Sequence, residues 1–145
     1  MRSTAASFVA LFALAGAVVM LWRDHALFAS GPVGIAVQVA AVLLMLWARL
    51  TFGVRSFHAG ANPTGGGIVT TGAYGFLRHP IYAAALWFTW AGVLTHLSPL
   101  NIGMGLVVIA GCAVRIAAEE HQLRERYPEY IAYAARTRRV IPFVL

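Results

Sequence analysis

Four stretches of this chain, Ala5–Trp22, Pro32–Leu50, Pro80–Leu97 and Leu100–Ala118, are almost wholly apolar. Each is close to the length at which a helix crosses a bilayer, about 20 residues at 1.5 Å apiece. Inside lipid every backbone N–H and C=O must be satisfied within the segment, so runs like these fold as helices. Water is not their only solvent. Of 145 residues, 60% are hydrophobic and 11% charged, against roughly 45–50% and about 25% in ordinary soluble domains. A soluble chain this short keeps much of its surface wet and cannot hide so much apolar area. The sequence therefore predicts an all-α integral membrane bundle of four transmembrane helices, one domain over residues 1–145.

Arg23-Asp24-His25 and Ser30-Gly31-Pro32 separate the first two runs, and Ser98-Pro99 separates the last two. The runs thus read as two hairpins joined by a long polar loop, residues 51–79. Four crossings put the N-terminus, that loop and the C-terminal tail on one side. All eleven basic residues are arginine, and ten of them fall on that side against Arg23 alone on the other. Arginine excess marks the cytoplasmic face, so loop and tail are expected in the cytoplasm. Met1-Arg2-Ser3 and the run behind it imitate a signal peptide, but the run is long and Leu21-Trp22-Arg23-Asp24 is no small-residue cleavage site. It reads as a retained anchor. The +6 charge belongs to arginines flanking apolar runs, which argues for a membrane surface and against nucleic acid.

Beyond Ala118 the helical composition continues through Glu119-Glu120-His121-Gln122-Leu123-Arg124-Glu125-Arg126 to Tyr127-Pro128. One helix of roughly 40 Å is expected to project from the membrane. A short second helix, Pro128 to Arg136, would fold back, making residues 119–145 a cytoplasmic helical extension. The tail ends basic and then apolar, Arg138-Arg139-Val140-Ile141-Pro142-Phe143, as if returning to the bilayer surface.

Polar residues gather at one depth. Arg78-His79-Pro80-Ile81-Tyr82 opens the third run, and Arg115, Glu119 and Glu120 close the fourth. Ionisable groups at a membrane boundary usually face protein or a water-filled cavity, which makes these site candidates. Bland readings stand beside that one. Arg115 and Glu119 share a helix face as a simple pair, though arginine before glutamate is the weaker order. Glu120 sits about 140° around the helix from Arg115, so the two flank a cleft without sharing a stripe. His79 is also a helix-boundary residue, and Tyr82, Trp87 and Trp90 suit an interfacial aromatic belt. His58, His96 and His121 stand apart from other ligands, so no metal site is expected. Cys112, the single cysteine, reads as a packing residue. Asn62-Pro63-Thr64-Gly65-Gly66-Gly67 lacks the lysine of a phosphate-binding loop and reads as a flexible turn.

The block Thr70-Thr71-Gly72-Ala73-Tyr74-Gly75-Phe76-Leu77-Arg78-His79-Pro80-Ile81-Tyr82 resembles a motif of the isoprenylcysteine carboxyl methyltransferase and phospholipid methyltransferase superfamily. So does the second block, from Arg115 through Glu119-Glu120 and Leu123 to Tyr127-Pro128-Glu129-Tyr130, Tyr133 and Arg139-Val140-Ile141-Pro142. Together they span roughly Ile68 to Phe143, about half the chain. The resemblance implies a membrane methyltransferase using S-adenosylmethionine, with the cofactor held at the cytoplasmic boundary by the last two spans and the tail. It implies that His79 and Glu119 hold the cofactor, with Arg78, Pro80, Tyr82, Tyr130 and Tyr133 around it. It implies that Arg115 and Glu120 stand beside the reacting groups. Where the family often has glycine this chain has Ala84, whose methyl is expected to narrow the approach to the cofactor. The implied substrate is a lipophilic acceptor drawn from the membrane: an isoprenylcysteine-like carboxylate, a phospholipid amine or another lipid. The short first hairpin suggests a minimal member in a prokaryotic inner membrane. Membrane reductases of the steroid 5α-reductase type, which use NADPH, share some tyrosine, arginine and proline features of the tail. A small transporter or scaffold would need an ionisable residue deep in a span, where only Gln38 and a few hydroxyls or glycines stand.

Overall fold

A computed structural model describes residues 2–53 and 67–140. Among them the chain is helical, with five α-helices, one 3-10 turn and no strand. The helices are α1 (Arg2–Arg23), α2 (Pro32–Phe52), α3 (Pro80–Thr95), α4 (Pro99–Arg126) and α5 (Tyr130–Arg136), with the 3-10 turn at Gly72–Gly75. Proline opens α2, α3 and α4 at the first turn, where its missing N–H costs nothing. Ser98 caps α4 by accepting from the Asn101 N–H at 3.1 Å. Three helices, α1, α2 and α4, are long and apolar enough to cross a membrane. The apolar α3 has 16 residues, about 24 Å, which is shorter than a typical hydrocarbon core. Asn62 to Gly66 of the glycine-rich turn, and Ile141 to Phe143 of the tail, lie outside the described residues.

The two-hairpin expectation fails on the pairing of the helices. Chain neighbours do not pack as pairs at the N-terminal end; α1 lies along α4 and α2 along α3, with α3 and α4 joining the pairs. The cause is small residues. In lipid no hydrophobic force selects a partner, so helices mate where small side chains let backbones approach. Ala10, Ala17 and Leu21 form the buried stripe of α1, and α4 meets α1 with Val108, Cys112 and Gly111, where a Cβ would come within 2.7 Å of Leu14. On the other pair Ala41 and Ala48 of α2 are buried, as are Ala83, Ala84 and Ala91 of α3. Phe12, Val19, Leu43, Leu46, Leu50 and Leu106 stay exposed, as lipid-facing positions do.

Gln38, the polar side chain inside α2, is a lock. Its Nε2 donates to the carbonyls of Leu27 at 2.8 Å and Phe88 at 3.0 Å, and its Oε1 accepts from the Ala29 N–H at 3.0 Å. One side chain thereby fastens the α1–α2 turn, α2 and α3.

The tail is fastened by backbone pairing that no periodicity announces. Leu77 and Arg138 form a parallel bridge. The Arg78 N–H donates to the Arg138 carbonyl at 2.6 Å, the His79 N–H to the Arg139 carbonyl at 3.0 Å, and the Arg138 N–H to the Phe76 carbonyl at 3.2 Å. Between α4 and this bridge, α5 is held down by the Tyr133 hydroxyl, which donates to the Tyr74 carbonyl at 2.7 Å.

Candidate active site

Val108, Cys112, Arg115, Glu119 and Leu123 follow one another on α4 at intervals of four, three, four and four residues, which is one helix stripe. All five face a cavity of approximately 730 Å³, within the roughly 300–1,000 Å³ usual for small-molecule sites. The facing wall comes from α1 (Leu11, Leu14, Ala15, Val18), from α3 (Tyr82, Ala85, Thr89) and from α2 (Arg49, Phe52). From Arg115 to Val108 the wall is apolar for about 10 Å, at 1.5 Å per residue. Val18 and Val19 of α1 line this apolar limb and are still 37% and 51% exposed. The limb is therefore open at α1, on the side away from α4.

The other end of the cavity is polar and tightly bonded. The Tyr82 hydroxyl donates to Glu119 Oε1 at 2.5 Å and accepts from Arg115 Nε at 3.1 Å. Arg115 also donates through Nη1 to the carbonyl and hydroxyl oxygens of Ser7, each at 3.2 Å, and so ties α1 to α4 at this level. Glu119 Oε2 lies 3.6 Å from His79 Nδ1. The result is a continuous chain, Ser7–Arg115–Tyr82–Glu119–His79. Burial works against a charge on His79, but hydrogen bonds and charges from Glu119 and Glu120 outweigh it and hold its pKa above the ordinary value. Burial pushes the Tyr133 phenol up to about 12, so it serves as a neutral donor. Tyr130 is 1% exposed, lines the cavity, and has no partner for its hydroxyl among the described residues.

The nine residues expected at a site separate into two groups. Arg78, His79, Tyr82, Arg115, Glu119, Tyr130 and Tyr133 line the one cavity. Pro80 is buried behind it as the first residue of α3. Glu120 is also off the wall. One residue beyond Glu119, it is rotated about 100° away from the stripe and lies 2% exposed among Arg78, His79, Arg124 and Arg139. Glu120 thus stands behind Arg78 and His79, which line the cavity, and is not itself part of the wall. Ala84 is buried and does not line the cavity, whereas Ala85 does. Sequence reasoning missed Ser7 and Arg49, which lie outside the two motif blocks. Arginine one residue before the end of the second apolar run was the one signal for Arg49, and Ser7 offered none. Among the described residues no group of three potential ligands could hold a metal ion.

The fold is that of a helical membrane protein whose cavity is polar at one end and apolar at the other. The sequence model for phospholipid methyltransferase matches residues 28–130, and the chain belongs to that family. It is 34% identical over 79 residues to protein-S-isoprenylcysteine O-methyltransferase B of Arabidopsis thaliana, a match covering 53% of this chain and 40% of that protein. It is 29% identical over 122 residues to the nickel-cobalt-cadmium resistance protein NccN of Alcaligenes xylosoxydans xylosoxydans, covering 83% of this chain and 52% of that one. The chain thus spans about half the length of these curated relatives. No solved structure matches it.

Proposed function

We propose that this protein transfers a methyl group from S-adenosylmethionine to a lipophilic acceptor at the cytoplasmic boundary of a membrane that it crosses four times. The observation that carries this reading is the two-ended cavity, whose polar network and open apolar limb share one wall on α4. The residues present fit the cofactor. Its sulfonium and ammonium call for an anion, and Glu119 is the acid lining the cavity; its carboxylate calls for cations, and Arg78 and His79 stand at the same end. The Tyr130 hydroxyl, buried without a partner among the described residues, is a group that a polar ligand atom would satisfy. When bound, the cofactor supplies an electrophilic methyl that needs no metal.

The chain's own contribution is placement. A nucleophile held about 3–3.5 Å from a methyl carbon gains most of its advantage from orientation. Arg115, fixed by Ser7 and Tyr82, presents a planar guanidinium to the cavity and orients an acceptor carboxylate or phosphate. Tyr82 fixes the Glu119 carboxyl at the cavity wall through its hydroxyl. The apolar limb takes a hydrocarbon chain entering past Val18 and Val19, and keeps water from the polar end.

Purified protein incubated with methyl-labelled S-adenosylmethionine and a total lipid extract is expected to label a lipid-soluble product. The product's identity separates carboxylate, amine and other acceptors. Arg115→Ala is expected to lower kcat/KM at least 100-fold, about 2.7 kcal/mol of transition-state stabilisation, with cofactor affinity changed only a few-fold. Absence of labelling together with tight binding of NADPH, measured by calorimetry, would overturn the reading.

A further inference from the structure

Glu120 has four charged partners, and although two of them, Arg78 and His79, line the cavity, Glu120 itself lies off its wall. Its Oε1 accepts from Arg78 Nε at 3.1 Å and Arg139 Nε at 3.2 Å, and lies 3.3 Å from His79 Nε2. Its Oε2 accepts from Arg124 Nη2 at 2.9 Å and Arg139 Nη2 at 3.1 Å. A carboxylate offers about four lone-pair sites, so these contacts leave no vacancy for a proton from an acceptor. The partners come from three places: Arg78 and His79 from the segment before α3, Arg124 from α4, and Arg139 from the tail. Arg78 extends the connection by donating Nη1 to the carbonyls of Ala134, at 2.7 Å, and of Thr137. Between those anchors and α4 lies α5, whose Tyr130 and Tyr133 form part of the cavity wall.

We propose that Glu120 is a positioning residue, a clasp that seats the 134–139 tail on the start of α3 and thereby closes the tyrosine side of the cavity around its ligand. The clasp opens at Arg139. That side chain is 49% exposed, against 10% for Arg78, so its charge reaches water with little loss, whereas Arg78 would be stranded. Undocking the tail withdraws Tyr130 and Tyr133, and ligand exchange follows tail opening. The docking stands on geometry alone; only the identity of the ligand rests on the methyl-transfer reading.

The test combines hydrogen exchange with ligand binding on the full chain in detergent, for Glu120→Gln, Arg139→Gln and their double variant. Arg136→Gln serves as control, an exposed arginine whose Nε bonds only within its own helix. Amides of Arg78, His79 and Arg138, which make the bridge bonds, are expected to exchange about tenfold faster in each clasp variant, the scale of losing a charge-assisted hydrogen bond. The double variant is expected to exchange no faster than Glu120→Gln alone, because the two residues share one interaction. S-Adenosylmethionine is expected to dissociate about tenfold faster from Arg139→Gln, with kcat at saturation near the wild-type value and the control unchanged. Wild-type exchange and affinity in Arg139→Gln would overturn the clasp. So would a Glu120→Gln protein with a docked tail, normal affinity and no turnover, for then Glu120 acts on the acceptor itself. If Glu120→Gln does not fold, Arg139→Gln decides the matter. Failure of the wild type to bind S-adenosylmethionine sinks the proposed function, while the exchange data still decide the docking.

Discussion

Tyr130 is buried to 1% exposure with its hydroxyl unpaired among the described residues, a condition that costs roughly 1–3 kcal/mol wherever it persists. Folding tolerates it here because a ligand's polar atom can meet the hydroxyl. Tyr130→Phe separates the two states. The ligand-free protein is expected to be as stable as wild type, or up to about 1–3 kcal/mol more stable. Affinity for S-adenosylmethionine is expected to fall about threefold to tenfold, the worth of one neutral hydrogen bond. Thermal unfolding in detergent with and without ligand reads both. A variant that is destabilised when empty yet binds normally would show that the hydroxyl serves the fold. The resemblance pointed to this tyrosine, but its unmet hydrogen bond is a property of packing. Neighbouring Glu119 and Glu120 illustrate the same limit. Their adjacency says that they diverge by about 100°, and only the position of α3 and the tail says which of them meets the cavity.

Helix pairing in this bundle rests on a few close approaches, and Gly92 on α3 is the tightest. A Cβ there would strike the Ala26 carbonyl and come within 2.5 Å of the Leu27 carbonyl oxygen. Both are backbone atoms of the α1–α2 turn, so relief requires moving the turn, which also carries the Leu27 and Ala29 ends of the Gln38 lock. Gly92→Ala is expected to cost about 1–3 kcal/mol as overpacking, more if the lock opens. Gly103→Ala on α4, with no atom within 4 Å of its added Cβ, is expected to stabilise by up to about 1 kcal/mol through helix propensity. Equal melting shifts for the two variants would deny the close approach. The apolar helices themselves were legible, three of them long enough to cross a membrane, since hydropathy measures what lipid demands of a helix. The pairing of α1 with α4 was not, because apolar runs say nothing of which face meets which. The small residues at Ala10, Ala17 and Gly111 held that information in spacing rather than in hydropathy.

For the whole molecule the open quantity is the number of crossings, and α3 decides it. At 16 residues it spans about 24 Å against a core of about 30 Å. A short helix crosses by thinning the bilayer locally at a modest cost. Re-entry without crossing would instead leave the backbone at its turn in lipid, where nothing satisfies it. The arginine asymmetry, ten against Arg23, also needs an even count of spans. Cys112 is 3% exposed, so cysteines introduced elsewhere can be labelled without interference. Ser30→Cys and Arg136→Cys, both at exposed positions, are separated by α2, α3 and α4. With three crossings between them, a membrane-impermeant maleimide labels them from opposite faces, and Leu97→Cys labels together with Ser30→Cys. Were α3 to turn back, two crossings would remain, and Ser30→Cys and Arg136→Cys would label from the same face. The cavity would then join groups from opposite boundaries, which the contact of His79 with Glu119 at 3.6 Å and of Tyr82 with Arg115 at 3.1 Å rules against: the start of α3 and the end of α4 share one depth.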